Sequence, residues 1–181
     1  KDAGLEACSK ALEGDQLTPR DRAATLVNRG IIYNRSRQLD LAIGDFDKAI
    51  ELNQELGEAY LNRGNAHFFR REFDASLADY SKAIDLKAGD LYVAYYNRAL
   101  VGMMTAKFDA AKADLQSALG LKPDFKEAAQ QMTELEKRRA ATQPAPGVQG
   151  QSVTTPAPTA PPAQKAPAPT PPVQKPPVQP A

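Results

Sequence analysis

The triplet Asn28-Arg29-Gly30 decides the fold of this chain, because it returns at residues 62–64 and, with alanine in place of glycine, at residues 97–99. The spacings are 34 and 35 residues. A second pattern follows each triplet, at residues 45–52, 79–86 and 114–121, and each copy begins with aspartate and ends with leucine around a central alanine. Two elements that recur together at one period predict an array of structural repeats.

Within each unit, the apolar residues predict a helix, a turn and a second helix. In the first unit, one helical face is formed by residues three or four apart, namely Ala23, Leu26, Gly30 and Tyr33. Thr18 is a good N-cap for this helix and Pro19 suits its first position. The buried side of the second helix is predicted to carry Leu41, Ala42, Phe46, Ala49, Ile50 and Leu52. The other two units repeat this plan.

Small residues occupy one equivalent point of each first helix: Gly30, Gly64 and Ala99. Glycine inside a helix costs about 1 kcal/mol relative to alanine. We therefore expect the two helices of a unit to approach closely there.

The segments beside the repeats are predicted to be helical as well. Residues 3–13 align with the second helix of a unit whose first helix is absent, and Cys8 falls at one of its packing positions. Residues 124–139 combine an apolar stripe with a polar face, which is typical of the terminal helix that caps a repeat array.

Composition changes sharply after the last predicted helix. Thirteen of the fifteen prolines lie from Pro144 onward, and no acidic residue follows Glu136. Residues 142–181 are therefore predicted to be disordered with extended character, as a linker or spacer. Patterns of the form P-x-x-P in this tail leave open a second interpretation, a binding motif.

Charge, hydropathy and cysteine content argue against several classes of protein and site. Residues 1–141 carry 21 basic and 22 acidic side chains, a balance that does not favour a dedicated nucleic-acid surface. No run of about 18 apolar residues is present, so no membrane span is predicted. With a single cysteine, Cys8, the chain can form no internal disulfide.

The array resembles the tetratricopeptide repeat, a helix-turn-helix unit of about 34 residues. The residues that carry the resemblance are Leu26, Gly30, Tyr33, Ala42, Phe46 and Ala49, then Tyr60, Gly64, His67, Ser76, Tyr80 and Ala83, then Tyr95, Ala99, Ala111, Leu115, Ala118 and Pro123. Gly102, Gln54 and Ala88 depart from the pattern. The resemblance implies an all-α solenoid over residues 1–141, with repeats at about 23–56, 57–91 and 92–125 and a capping helix at 124–139. It also implies a right-handed superhelix whose concave groove is lined by the first helix of each pair.

The residues predicted to line this groove combine apolar side chains with amides, which suits an extended peptide or a partner helix. They are Val27, Asn28, Ile31, Asn62, Asn65, Tyr96 and Asn97. An amide can both donate to and accept from a peptide backbone. The alternative is that these asparagines satisfy neighbouring backbone groups or each other.

Many members of the resembled family hold a partner's C-terminal carboxylate in a clamp of asparagines and basic residues. Asn65 and Asn97 fall at two asparagine positions of such a clamp. At the positions of its first lysine the chain has Val27, Leu61 and Tyr96. Because a carboxylate needs fixed cations, we predict no tight carboxylate clamp.

Each triplet also predicts an ion pair. Arg29, Arg63 and Arg98 each precede an aspartate by 16 residues, and these partners are Asp45, Asp79 and Asp114. The identical spacing predicts that each pair ties together two helices of one unit or of adjacent units.

No catalytic motif emerges, so we expect no enzymatic activity and no cofactor. His67 is a lone histidine at a packing position, and the sequence has no Cys/His cluster for zinc and no Gly-rich phosphate loop. The predicted function is a scaffold that binds other proteins. The alternative is an assembly protein that self-associates through the ends of the array. By resemblance to exported bacterial tetratricopeptide proteins we expect a periplasmic or secreted location, with the cytoplasm as the alternative.

Overall fold

A computed structural model describes residues 3–14, 16–142 and 172–173, and within these ranges the regular secondary structure consists of eight helices. They are α1 (Ala3–Glu13), α2 (Pro19–Arg35), α3 (Leu39–Leu52), α4 (Gly57–Phe69), α5 (Phe73–Asp85), α6 (Leu91–Met104), α7 (Phe108–Leu121) and α8 (Lys126–Thr142). None of them is long and apolar enough to cross a membrane.

The helices pack as pairs that stack along the chain. Helices α2 and α3, α4 and α5, and α6 and α7 form the three pairs, and the second helix of each pair packs on the first helix of the next. The first helices also contact each other, α2 with α4 and α4 with α6. The predicted all-α solenoid of three helix pairs is confirmed, and one side of it is built from α2, α4 and α6.

Helix α2 begins as predicted. The backbone N–H of Asp21 donates to Thr18 Oγ1 at 3.1 Å, and Pro19 is the first helical residue. Thr18 therefore satisfies one of the amide groups that a helix start leaves without an intrahelical partner.

The small residues of the triplets allow the two helices of a unit to approach closely. A Cβ atom on Gly30 would lie 2.6 Å from Phe46 Cε1, and one on Gly64 would lie 2.8 Å from Tyr80 Cε1. In the third unit the facing position holds Leu115 instead of an aromatic ring, and Ala99 is accommodated there with both residues fully buried.

Two helix-face predictions are wrong. The sequence pattern places Leu41 and Leu52 on the buried side of α3, but they are 51% and 42% exposed. Ala42, Phe46 and Ala49 define the buried face. Leu41 lies about 100° around the helix from Ala42, and Leu52 is the last residue of the helix.

Helices α1 and α8 cover the two ends of the array. Arg22 holds the end of α1 by donating from Nη1 to Leu12 O at 2.9 Å and from Nη2 to Gly14 O at 2.6 Å. At the other end, α8 buries Ala128 and Leu135. It begins two residues later than predicted because residues 122–125 form a turn in which Phe125 N–H donates to Lys122 O. It ends three residues later than predicted, at Thr142.

The prediction of disorder for residues 142–181 falls almost wholly outside the described residues. The exceptions are the helical backbone of Thr142 and the short segment Pro172-Val173. This short segment lies against the array.

Candidate functional site

Helices α2, α4 and α6 carry all seven residues predicted to line the groove. Six of them are buried: Val27, Ile31, Asn62, Asn65, Tyr96 and Asn97. Asn28 is partly exposed. We call the contact between α2 and α4 the first junction and the contact between α4 and α6 the second junction.

At the second junction, three polar side chains form a buried network. Tyr80 Oη donates to Asn65 Oδ1 at 2.8 Å, and Asn97 Nδ2 donates to the same oxygen at 2.9 Å. Burial raises the pKa of Tyr80 far above its usual value, so the hydroxyl keeps its proton and acts as the donor. Because both bonds need an acceptor, they identify which atom of the Asn65 amide is the oxygen. The Nδ2 group of Asn65 then points toward the carbonyl of Val173.

The network binds the backbone of Val173. Asn97 Oδ1 accepts from Val173 N–H at 2.9 Å, and Asn97 Nδ2 donates to Val173 O, also at 2.9 Å. Asn65 Nδ2 approaches the same carbonyl at 3.4 Å. The carboxamide of Asn97 therefore pairs with both polar groups of one residue, as a neighbouring β-strand would.

Apolar contacts accompany these hydrogen bonds. Pro172 is buried. Val173 packs against the core cluster that includes Leu61, Tyr96 and Leu100. The second junction thus combines a backbone-pairing amide with an apolar surface, the two components needed to hold an extended peptide.

The first junction has different side chains at the equivalent positions. Asn62 corresponds to Asn97, but the position of Asn65 is taken by Ile31 and that of Tyr80 by Phe46. Asn62 Nδ2 donates to Glu58 O of its own helix at 2.9 Å. Its Oδ1 has no hydrogen-bond partner within the described part of the chain.

Two further buried side chains of these helices have unused hydrogen-bonding groups. Both amide atoms of Asn34 and the hydroxyl of Tyr96 have no partner among residues 3–14, 16–142 and 172–173. Burial raises the pKa of Tyr96 to about 12. Because buried polar groups in folded proteins almost always have partners, these groups add unmet hydrogen-bonding capacity to this side of the solenoid.

The predicted arginine–aspartate pairs are confirmed in all three units. Each arginine binds its aspartate with two hydrogen bonds of 2.7–2.9 Å, as seen for Arg29 with Asp45, Arg63 with Asp79 and Arg98 with Asp114. These bonds raise the pKa of each guanidinium. They tie together the two helices of one unit.

Each arginine also reaches the helix before its own. Arg29 Nη1 donates to Ser9 Oγ at 3.3 Å, Arg63 Nη1 to Asp47 Oδ1 at 2.6 Å and Arg98 Nη1 to Ser81 Oγ at 3.0 Å. One side chain per unit therefore joins three successive helices and fixes the spacing of the first helices that form the two junctions.

A tetratricopeptide repeat family model matches three successive segments, residues 23–56, 57–90 and 92–125. Together these matches cover more than half of the chain. The chain belongs to the tetratricopeptide repeat family. No curated protein sequence matches it significantly.

Solved structures of this family are similar in fold. The Arabidopsis OM64 TPR domain is 24% identical, with a TM-score of 0.64, over 67% of this chain and 99% of that domain. The first TPR of Spaghetti (RPAP3), bound to HSP90 peptide SRMEEVD, is 24% identical with a TM-score of 0.64, over 70% of this chain and 99% of the other. MamA is 26% identical with a TM-score of 0.66, over 77% and 73% of the two chains.

Sequence reasoning missed two members of the site, Tyr80 and Val173. The repeat pattern assigns Tyr80 only to an aromatic packing position. Its role as a hydrogen-bond donor could have been inferred by comparing two units. A polar pair, Asn65 and Tyr80, stands in the second unit where the first has an apolar pair, Ile31 and Phe46. Val173 belongs to a Pro-Pro-Val-Gln sequence at residues 171–174 that is repeated at residues 176–179.

The described residues contain no group of three or more His, Cys, Asp or Glu side chains that could hold a metal ion. The chemistry of the second junction is hydrogen bonding to peptide groups. Its three polar side chains are two amides and a protonated phenol.

Proposed function

We propose that this tetratricopeptide repeat protein is a non-enzymatic scaffold that binds an extended segment of a partner protein at the second junction. The observation that carries the proposal is the pairing of Asn97 with both the N–H and the C=O of a single residue, Val173. These are main-chain contacts, so they do not depend on the side chain of the bound residue. The surrounding apolar surface would select which side chains the bound segment can carry.

The solved relatives support this class of function. The first TPR of Spaghetti (RPAP3) was determined with an HSP90 peptide, SRMEEVD, and the second TPR domain of human RPAP3 with an HSP70 peptide, SGPTIEEVD. Repeats of this family are typically protein-interaction modules, and the second junction offers this chain a comparable way to bind peptide.

We propose that the bound segment is internal to the partner rather than its carboxyl end. The positions where a lysine would compensate a carboxylate hold Val27, Leu61 and Tyr96, all of which are fully buried and uncharged. A carboxylate brought there would lose its hydration without gaining a charged partner. Capping a partner's C-terminus as an amide should change its affinity less than twofold, whereas a strong loss would contradict this part of the proposal.

A matched pair of variants tests the scaffold function. Asn97→Ala removes two hydrogen bonds to the bound backbone, each worth about 0.5–1.5 kcal/mol. Asn62→Ala removes the equivalent amide of the first junction, which makes no such bonds. Proteins captured from an extract by the intact chain should be lost with Asn97→Ala and retained with Asn62→Ala, and purified prey should then bind roughly 5- to 150-fold more weakly to Asn97→Ala.

Equal retention of prey by both variants would contradict the proposed site. Light scattering on the intact chain tests the alternative function, self-association through the array ends. A stable oligomer that persists on dilution would favour that alternative, and a monomer favours the scaffold.

A further inference from the structure

The second junction contains a segment of the same chain, Pro172-Val173, and Val173 is 76 residues beyond Asn97 in sequence. The contact comprises two hydrogen bonds of 2.9 Å to Asn97, a buried proline and a valine packed on the core. It therefore has the components of a built binding site.

The local sequence is suited to this position. Proline fixes φ near −65°, and a residue that precedes proline is restricted to extended conformations. Pro171 and Pro172 thus favour an extended backbone before binding, which lowers the conformational entropy that is lost on binding. Neither proline has an N–H group, so Val173 is the first residue after the pair that can donate to Asn97 Oδ1.

The chain is long enough to bring this segment back to the array. Twenty-nine residues separate Thr142 from Pro172, and a fully extended chain of that length spans up to about 100 Å. Tethering converts binding into an intramolecular step with an effective concentration on the order of millimolar. Even a weak intrinsic affinity would then keep the site largely filled.

We propose that Pro172-Val173 is a built-in ligand of the second junction, which a partner peptide must displace. This inference rests on the proposed function and deepens it, because it names the kind of segment that the junction accepts. That kind of segment has proline before a β-branched residue whose N–H and C=O can both pair with Asn97. The scaffold would be autoinhibited until a partner competes.

The test uses the full chain with one substitution in the tail. Val173→Pro removes the N–H that donates to Asn97 and leaves the helical array untouched. Val178→Pro is the matched control, since it makes the same change in the second Pro-Pro-Val-Gln copy. The probe is a fluorescent peptide of residues 170–175, blocked at both ends.

Two measurements follow. The side-chain amide NMR signals of Asn97 and Asn65 should move in Val173→Pro and stay unchanged in Val178→Pro. Fluorescence anisotropy should show the probe binding roughly two- to tenfold more tightly to Val173→Pro than to the unaltered chain, because the competing segment has been released. The amide signals of the unaltered chain should not change on dilution.

Three results would overturn the proposal. Amide signals that are the same in all three chains would mean that the segment does not occupy the junction. Equal effects of the two valine substitutions would assign the contact to the composition of the tail instead of to Pro172-Val173. Signals that depend on protein concentration would identify the occupant as the tail of a second copy.

The built-in ligand and the scaffold function can fail separately. The probe could bind Val173→Pro through Asn97 while the amide signals of Asn97 and Asn65 are the same with and without the substitution. In that case the junction binds peptide, but the tail does not occupy it. The amide signals could instead move while the capture of partner proteins is unchanged by Asn97→Ala. In that case the tail occupies the junction, and the proposed scaffold function at this site is wrong.

Discussion

The two junctions are built from the same repeat and differ in the hydrogen bonds that their equivalent asparagines make. The first has Ile31, Phe46 and Asn62, and the second has Asn65, Tyr80 and Asn97. In the first, the amide of Asn62 donates back to its own helix at Glu58 O. In the second, the equivalent amide donates to and accepts from the backbone of Val173. The hydrogen bonds of the equivalent asparagines therefore depend on two neighbouring positions, which hold Ile31 and Phe46 in the first junction and Asn65 and Tyr80 in the second.

The physical cause lies in the order of the hydrogen bonds. Tyr80 donates to Asn65 Oδ1, and that oxygen also accepts from Asn97 Nδ2. Asn97 is thereby held with its Oδ1 directed at Val173 N–H. Neither isoleucine nor phenylalanine can accept or donate in this way, so the side chains of the first junction cannot hold the amide of Asn62 as the second junction holds that of Asn97.

The largest expected effect on stability comes from a substitution that loosens the helix shared by both junctions. Helix α4 belongs to both, and Arg63 ties it to α5 through Asp79 and to α3 through Asp47. Asp79 is 7% exposed and Asp47 is 46% exposed. Asp79→Ala leaves a half-buried guanidinium without its bidentate partner and should lower the free energy of unfolding by about 3 kcal/mol, measured by urea denaturation.

Asp47→Ala is the matched control for this prediction. It removes the exposed partner of the same arginine and should cost less than about 1 kcal/mol. Comparable losses in the two variants would mean that the bidentate pair does not dominate the stability of α4.

The second prediction converts one junction into the other. Asn65→Ile alone leaves the buried hydroxyl of Tyr80 without its acceptor and should cost about 1–3 kcal/mol. Adding Tyr80→Phe recreates the pair found at Ile31 and Phe46 and should recover most of that loss. A double-mutant cycle by chemical denaturation measures the coupling, and simple additivity of the two changes would contradict the proposed network.

Peptide binding should respond differently from stability in the same series. The double variant Asn65→Ile/Tyr80→Phe should fold well and still bind the probe of residues 170–175 poorly, because Asn97 is no longer oriented. Full binding by this variant would show that Asn97 needs no support from its neighbours.

Alkaline pH should also separate the two junctions. Burial raises the folded-state pKa of Tyr80, so the unfolded chain releases this proton first as pH rises above about 10. The stability contribution is therefore intact below about pH 10 and is lost above it, at up to about 1.4 kcal/mol per pH unit. Tyr80→Phe should lose less stability between about pH 9 and 11 than the unaltered chain, as measured by urea denaturation at each pH. An equal loss would show that Tyr80 is not shielded.

Sequence alone predicts the fold well because the repeat encodes it several times. The triplet, the helical spacing and the aspartate 16 residues later each recur in three units, so the close packing at Gly64 and the pair of Arg63 with Asp79 follow from the repeat pattern itself. Local spacing determines which residues share a helix face, and packing follows from it.

The site is harder to predict because it depends on contacts between units. Asn62 and Asn97 occupy the same position of the repeat, and nothing within either unit distinguishes them. Their different use follows from Ile31 or Asn65 on the preceding first helix. The contact with Val173 is less predictable still, since a Pro-rich composition predicts an extended segment without indicating where it binds.

The smallest expected effect tests whether the amide of the first junction has any structural role. Asn62 is buried, its Oδ1 has no partner within the described residues, and its Nδ2 donates to a carbonyl of its own helix. An unpaired buried acceptor costs about 1–3 kcal/mol, and apolar replacement can be nearly neutral or stabilising. Asn62→Leu should therefore change the free energy of unfolding by less than about 1 kcal/mol, with stabilisation the expected sign. Asn97→Leu should instead destabilise the chain, since it removes the bond to Asn65 Oδ1 and the two bonds that hold Val173 on the array, and urea denaturation compares the two. Clear destabilisation by Asn62→Leu would show that the amide of Asn62 also stabilises the fold. The two junctions would then differ only in whether the tail segment binds to their asparagine.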